Sequence, residues 1–316
     1  MTTPSASSGS STGLSNLYIP AVASTFLSES NEQQRRQKLL SNRSNGDGET
    51  RSNEGLRKVV LETSVLNGAN GSSLVELGHT KVLCKVDCPL TDSNASVVDV
   101  GVVQCKVVFA PFFGRVQNQA NSLLPLSSDG GAGGRTGGGG GGGGGMNPLR
   151  KANTLQEVDM ETRIRDALLP SLDLSLYPKC VLKVQLTVLQ DDGSALSACI
   201  VAASLAMADA RIELYDLVTS CAVVSIAGGG KNTCAGTTPT IVADPDRDEE
   251  ETADATVVLA MMPAWKDVTL WQQQGPTDGT QMIDLCRDGC RTVHRLMRQC
   301  LIDQATKAKT KGEKQV

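Results

Sequence analysis

The stretch from Leu182 to Ala210 constrains the fold of this chain more than any other. Leu182, Val184, Leu186 and Val188 alternate with Lys183, Gln185 and Thr187, the period-2 pattern of a strand with one buried face. Asp191-Asp192-Gly193-Ser194 then turns the chain, and from Ser194 to Ala210 nearly every side chain is apolar or small. A helix that is apolar all round has no solvent face and has to be covered on every side. The small Ala and Ser side chains suit close packing on a sheet. Strand, turn and buried helix together dictate a layered domain in which this helix lies inside.

The flanking sequence supplies the sheet. Residues Lys58 to Thr63, Ser72 to Leu77 and Thr80 to Asp87 are short Val- and Leu-rich runs. They are separated by Asn67-Gly68, Asn70-Gly71 and Gly78-His79, the turn chemistry of antiparallel hairpins. Val97 to Ala110 extends this meander and stops at Pro111, and Leu155 to Leu169 is helix-compatible up to Pro170. Further strands are expected at Ala222 to Ile226, Thr240 to Ala243 and Thr256 to Met261. The closing helix, about Gln281 to Gln304, gathers Ile283, Cys286, Cys290, Val293, Met297, Cys300 and Leu301 on one face. Its Arg287, Arg291, Arg295 and Arg298 form a stripe apart, suited to RNA phosphates, an acidic partner or plain solvent. This order of elements predicts an α+β domain.

Two regions do not fit a packed core. Residues 1–50 are rich in Ser, Thr, Asn, Gln and Gly, with a short basic cluster at Arg35, Arg36 and Lys38, and read as an N-terminal tail. Residues 127–148 contain an unbroken run from Gly137 to Gly145, a composition that holds no fixed shape. Met146 and Asn147 follow where a phosphate-binding loop needs Lys and Ser or Thr, so the run is expected to be a surface insertion. The expected organisation is a tail over 1–50, a single domain over 51–305 with the insertion at 127–148, and a basic C-terminal tail over 306–316. No secretory leader is expected, and no run of eighteen apolar residues is present to span a membrane.

Thirty basic against 34 acidic residues give a net charge of −4, which argues against a strongly basic nucleic-acid surface. Four Phe, three Tyr and two Trp leave little for base stacking. The ten Cys, with no leader, point to free thiols in a reducing compartment. Cys84/Cys88 and Cys286/Cys290 could form a four-thiolate zinc site, but the CxxC spacing is missing and packing accounts for them better. The chain's two His, His79 and His294, give few bases for a Cys/His nucleophile, and His79 falls in a hairpin turn. Asp244, Asp246 and Asp248 resemble the start of a calcium loop, yet Glu249 and Ala255 stand where glycine and a bidentate Glu are needed. The acidic run through Glu249, Glu250, Glu251 and Asp254 reads as a solvated loop. Backbone N–H groups at the start of the buried helix, after Gly193 and Ser194, are where an anion such as phosphate would bind.

The motifs carry a resemblance. Leu66-Asn67-Gly68-Ala69-Asn70-Gly71-Ser72, the segment Val75 to Cys84, Ala110-Pro111-Phe112, Asp166-Ala167-Leu168-Leu169-Pro170, Asp191 to Leu196, Ala203 to Ala210 and Leu259-Ala260-Met261-Met262-Pro263 together resemble RNase PH-type domains. The likeness spans about residues 54 to 304 apart from the insertion. The segment Ala208 to Val218, with Gly289-Cys290 and Gln299-Cys300-Leu301, is most similar to RNase PH-like subunits of the eukaryotic RNA exosome ring. The resemblance implies the RNase PH-like, ribosomal protein S5 domain 2-like, βαβ fold. Active members of the family degrade RNA from its 3′ end with inorganic phosphate, using an Arg in the helix-capping turn and a carboxylate just before the later strand. By this likeness Gly193 and Ser194 are kept, Ala195 replaces the Arg, and Thr256 replaces the carboxylate; Arg115 corresponds to an RNA-contacting arginine.

The implied protein has no catalytic residue, metal or cofactor of its own. It is a structural ring subunit supporting 3′-to-5′ RNA degradation and rRNA processing, in contact with other RNase PH-like chains, an S1/KH-type cap subunit and RNA in the channel, with no membrane role. Its expected locations are nucleus and nucleolus, and also cytoplasm. The alternatives are an active phosphate-dependent 3′-to-5′ exoribonuclease and an unrelated small-molecule enzyme on a similar scaffold.

Overall fold

A computed structural model describes residues 51–91, 100–110, 148–226, 239–276 and 279–313, together with Gln34, Arg36, Lys38 and Arg43. Among the described residues, nine strands form two sheets. The first has the order β1-β2-β3-β5-β4, built from β1 (Val59–Thr63), β2 (Gly71–Leu77), β3 (Thr80–Thr91), β4 (Val102–Phe109) and β5 (Cys180–Gln190). The second has the order β7-β6-β8-β9, from β6 (Thr219–Ile226), β7 (Thr240–Ala243), β8 (Ala255–Met262) and β9 (Asp267–Gln274). From residue 51 on, the α-helices among the described residues are α1 (Pro148–Leu168), α2 (Ala195–Asp209), α3 (Arg247–Thr252) and α4 (Gly279–Glu313). The α+β reading holds.

The first three strands are the antiparallel meander expected from their turns, with Leu77 paired to Thr80 across Gly78-His79. Gly78 takes φ +58, and a Cβ there would lie 2.7 Å from Cδ of Arg57. β5 runs antiparallel to β3, whereas β4 runs parallel to β5 from Val102↔Val181 to Phe109↔Val188. A parallel pair cannot be closed by a hairpin, so the chain crosses over between β4 and β5 by way of α1. That helix also satisfies the outer edge of β4: the amides of Val107 and Phe109 donate to Glu161 and Glu157 at 3.0 and 3.4 Å. An edge with these two donors bonded and α1 packed beside it is a poorer template for stray strands at that end.

Helix α2 is covered as its composition requires: residues Ser197 to Met207 are all buried. It contacts β2 and β3 of the first sheet and β6 of the second. Its two hydroxyls are used, Ser204 accepting from the amide of Val218 at 2.9 Å and Ser197 accepting from the Ser220 hydroxyl at 3.2 Å, while Ser73 of β2 donates to the carbonyl of Ala202 at 2.7 Å. Gly71 sets the crossing with β2, because a Cβ there would fall 2.3 Å from the Ala206 carbonyl oxygen. Burying a side chain such as Ile200 or Leu205 is worth about 1.5–3 kcal/mol, and α2 contributes to one continuous core with residues of both sheets. A smaller cluster fills the space between the second sheet and α4, where Met282, Cys286 and Cys290 meet Cys221, Val257 and Leu259.

Several expectations need amending. Strand β9 adds to the expected strands, and its sequence Asp267-Val268-Thr269-Leu270-Trp271-Gln272-Gln273-Gln274 lacks a clean alternation. The acidic run is not a solvated loop: Arg247–Thr252 is a helix opened by a capping box, with Asp246 accepting from the Glu249 amide and the Glu249 carboxylate accepting from the Asp246 amide. The C-terminal helix continues to Glu313, past the boundary at 306 expected for a tail. Residues 1–50 are not a tail throughout, since Arg36 and Arg43 are buried with side chains paired to Asp254 and Glu249. The Gly-rich insertion at 127–148 lies outside the described residues apart from Pro148 at the start of α1.

Candidate functional site: a plugged helix mouth

Strand β5 delivers the chain to a tight turn in which Gly193 (φ +87) and Ser194 (φ +57) are both left-handed. The turn is pressed against the loop after β7: a Cβ on Gly193 would lie 2.6 Å from the Pro245 carbonyl oxygen. Thr80 braces it from β3, donating to the Gly193 carbonyl at 2.7 Å and accepting from the Asp192 amide at 2.9 Å. Arg57 clamps it from below, with Nη1 on the Asp192 carbonyl at 2.7 Å and Nη2 on the Gly193 carbonyl at 3.2 Å. The same guanidinium forms a fork on the buried carboxylate of Asp244, Nη2 to Oδ1 at 2.7 Å and Nε to Oδ2 at 3.1 Å. Burial opposes ionisation of Asp244, but the charge and hydrogen bonds of Arg57 outweigh it and hold the carboxyl below its usual range. The turn is therefore rigid, and the direction of its donors is fixed.

Those donors already have acceptors. The Ser194 amide donates to Oε1 of Glu250 on α3 at 2.8 Å, the Ser194 hydroxyl to the Pro245 carbonyl at 3.1 Å, and the Gly193 amide to Asp191 Oδ1 at 3.1 Å. The Ser194 amide, one of the donors at the start of α2 that would serve an external anion, thus faces a carboxylate of the chain itself. Burial, with the charge of Asp191, pushes the Glu250 carboxyl up to about 7 against the opposing pull of the Ser194 amide.

A cleft of about 410 Å³ opens beside this turn. Ala195 and Thr256, the two positions marked by the sequence, both line it, although they are far apart in the chain. Neither brings a charge. The charged lining is Asp191, Glu250 and Glu251 against Arg163 and Arg247, and both arginines are engaged, Arg163 with Asp159 at 2.6 Å and Arg247 with Glu251 at 3.3 Å. Gly193 and Ser194 shape the turn as read, while Arg115 lies outside the described residues. Arg163, Arg247 and Glu250 join this cleft through the fold and carry no motif that marks them for it. The available signal for Glu250 was the Asp246-x-x-Glu249 spacing, which starts a helix and turns the next residue toward the cleft.

The other candidates do not converge. Cys84 belongs to the large core, whereas Cys286 and Cys290 belong to the smaller one, so the two pairs do not face a common point. Burial raises the Cys84 thiol well above its usual value and takes Cys105 and Cys290 to about 12, which keeps them protonated and unreactive at neutral pH. His79 is in the β2–β3 turn, and His294 packs 3.3 Å from Asp216. In the stripe on α4, Arg287 and Arg291 pair with Asp284 and Asp288 of the same helix.

Residues 55–213 match the RNase PH family, described as the 3′ exoribonuclease family, domain 1. The chain belongs to the RNase PH family. Similar RNase PH relatives include the human exosome complex component MTR3, 30% identical over 273 residues covering 81% of this chain and 86% of that protein. Another is the exosome complex component Rrp41 of Cenarchaeum symbiosum, 27% identical over 253 residues covering 78% and 87%. The crystal structure of rice Rrp46 has the same fold, with a TM-score of 0.56 at 19% identity over 80% of this chain and 97% of that one. The architecture is thus that of an RNase PH domain.

Proposed function

We propose that this chain is a non-catalytic structural subunit of an exosome ring, supporting 3′-to-5′ RNA degradation and rRNA processing carried out elsewhere in the assembly. Its similarity to exosome components supports the ring role. The observation that carries the silent reading is the bond from the Ser194 amide to Glu250. A phosphorolytic site needs inorganic phosphate next to the RNA 3′ end, and here the helix mouth faces an internal carboxylate, with a methyl group at Ala195. An arginine at that place would add charge-assisted bonds worth about 1.5–3 kcal/mol each. The cleft has three acidic side chains and two paired arginines instead, an arrangement that offers phosphate and RNA no net positive charge.

In this reading the chain pairs with other RNase PH-like subunits, holds an S1/KH-type cap subunit, borders the RNA channel, and works in nucleus and nucleolus and in cytoplasm. The test is phosphate-dependent release of nucleoside diphosphates from RNA by the chain assembled with its ring partner. With the partner's active site disabled, no release is expected; release that persists overturns the proposal. One observation favours an active enzyme: Glu250, with its carboxyl near 7 and in the same cleft as Thr256, has the properties of a general acid. If it acts so, Glu250→Gln abolishes the persisting release.

A further inference from the structure

Helix α3 presents the carboxylate that faces the mouth of α2, yet its own sequence anchors it only through the capping box and the exposed Arg247–Glu251 pair. Its six residues, Arg247-Asp248-Glu249-Glu250-Glu251-Thr252, include no apolar side chain, and four consecutive residues are acidic. A helix this short has no independent stability, and its like charges oppose one another. It is nonetheless ordered, with Glu249 buried to 1%.

The balancing charge comes from the region before the domain. Arg43 donates from Nε to Glu249 Oε1 at 2.7 Å, while Nη1 reaches the Ser52 carbonyl at 3.0 Å and Nη2 the Ala243 carbonyl at 3.0 Å. Its side chain and that of Glu249 are 3% and 1% exposed. Nη1 of Arg36 donates to both carboxylate oxygens of Asp254, just past the C-terminal end of α3, at 2.9 and 3.2 Å. Arg51 adds a third contact, Nη2 to the Asp244 carbonyl at 3.2 Å and to Glu249 Oε2 at 3.5 Å. Three arginines outside the sheets therefore grip α3 through Glu249 and its flanks, while the next residue, Glu250, reaches the Ser194 amide.

We propose that Arg36 and Arg43, with Arg51, form an intramolecular latch that fixes α3 and so holds Glu250 in the mouth of α2. Arg36 and Arg43 then control the mouth of α2, and the position of Glu250 is conditional on them. This coupling goes beyond the ring-subunit reading and does not depend on it, because it concerns the position of α3 and not the chemistry of the cleft.

Amide hydrogen exchange on the full-length chain tests the latch, comparing Arg43→Met and Arg36→Met with Arg287→Met, a control on exposed α4. In Arg43→Met, peptides covering 190–197 and 245–255 are expected to exchange at least tenfold faster, with β2 and β3 at wild-type rates. Arg36→Met is expected to give a smaller rise in the same peptides, and Arg287→Met none. If Arg43→Met fails to fold, Arg36→Met decides on those peptides. Wild-type exchange at 190–197 in a folded latch variant, or equal acceleration in every peptide, overturns the proposal.

Discussion

Replacing Glu250 by Gln separates the hydrogen bond at the helix mouth from the charge that makes it. The amide oxygen of Gln still accepts from Ser194, but the buried negative charge is gone. The carboxyl moves from its ordinary value of 4.5 to about 7 on folding, with burial the largest cause. The folded state therefore holds this proton more tightly than the unfolded chain, and the group lowers stability progressively as pH rises from about 4.5 to about 7. At 1.36 kcal/mol per unit, the full effect above pH 7 is roughly 3 kcal/mol. Glu250→Gln is thus expected to match wild type near pH 4.5 and to exceed it by roughly 3 kcal/mol at pH 8. Urea unfolding of both proteins at the two pH values measures this, and the difference between them cancels other titrating groups. A variant that is equally or less stable than wild type at pH 8 would show that the negative charge is welcome in the cleft, and the reasoning about a repelled anion would fail with it.

Asp244→Asn leaves Arg57 charged and buried against a neutral partner, and such losses are about 3–5 kcal/mol; urea unfolding at pH 7 reads it, and a change below about 1 kcal/mol refutes the clamp. Gly71→Ala places a methyl group 2.3 Å from the Ala206 carbonyl oxygen, so β2 or α2 has to move. Overpacking of this kind costs about 1–3 kcal/mol or more; a variant with unchanged thermal midpoint would mean that the crossing is looser than described.

What the sequence reveals differs by element for physical reasons. Strand β5 and helix α2 are legible because one buried face imposes period 2 and total burial imposes an unbroken apolar run. The edge strand β9 escapes because a strand paired on one side and half exposed has no strict pattern, and its run of Gln272, Gln273 and Gln274 looks like loop. Ala195 and Thr256 could be singled out from motif order, and their meeting in one cleft follows from the fold. Glu250 could not be found in this way, since its role depends on α3 docking against a turn more than fifty residues earlier. Arg36 and Arg43 are hidden for a related reason: polar composition sets the expectation for a whole segment, while a buried ion pair is decided by two side chains. Where the chain is held by apolar burial the pattern is visible, and where it is held by charge across long separations it is not.

The parallel pairing of β4 with β5 has one more consequence. Eight aligned positions fix the register of that ladder, so the stretch joining the two strands sets neither their alignment nor their direction. The entropy of closing such a connection grows only with the logarithm of its length. The length of the glycine tract is then not dictated by the ladder, and an affinity handle spliced into it is expected to leave the thermal midpoint of the protein unchanged.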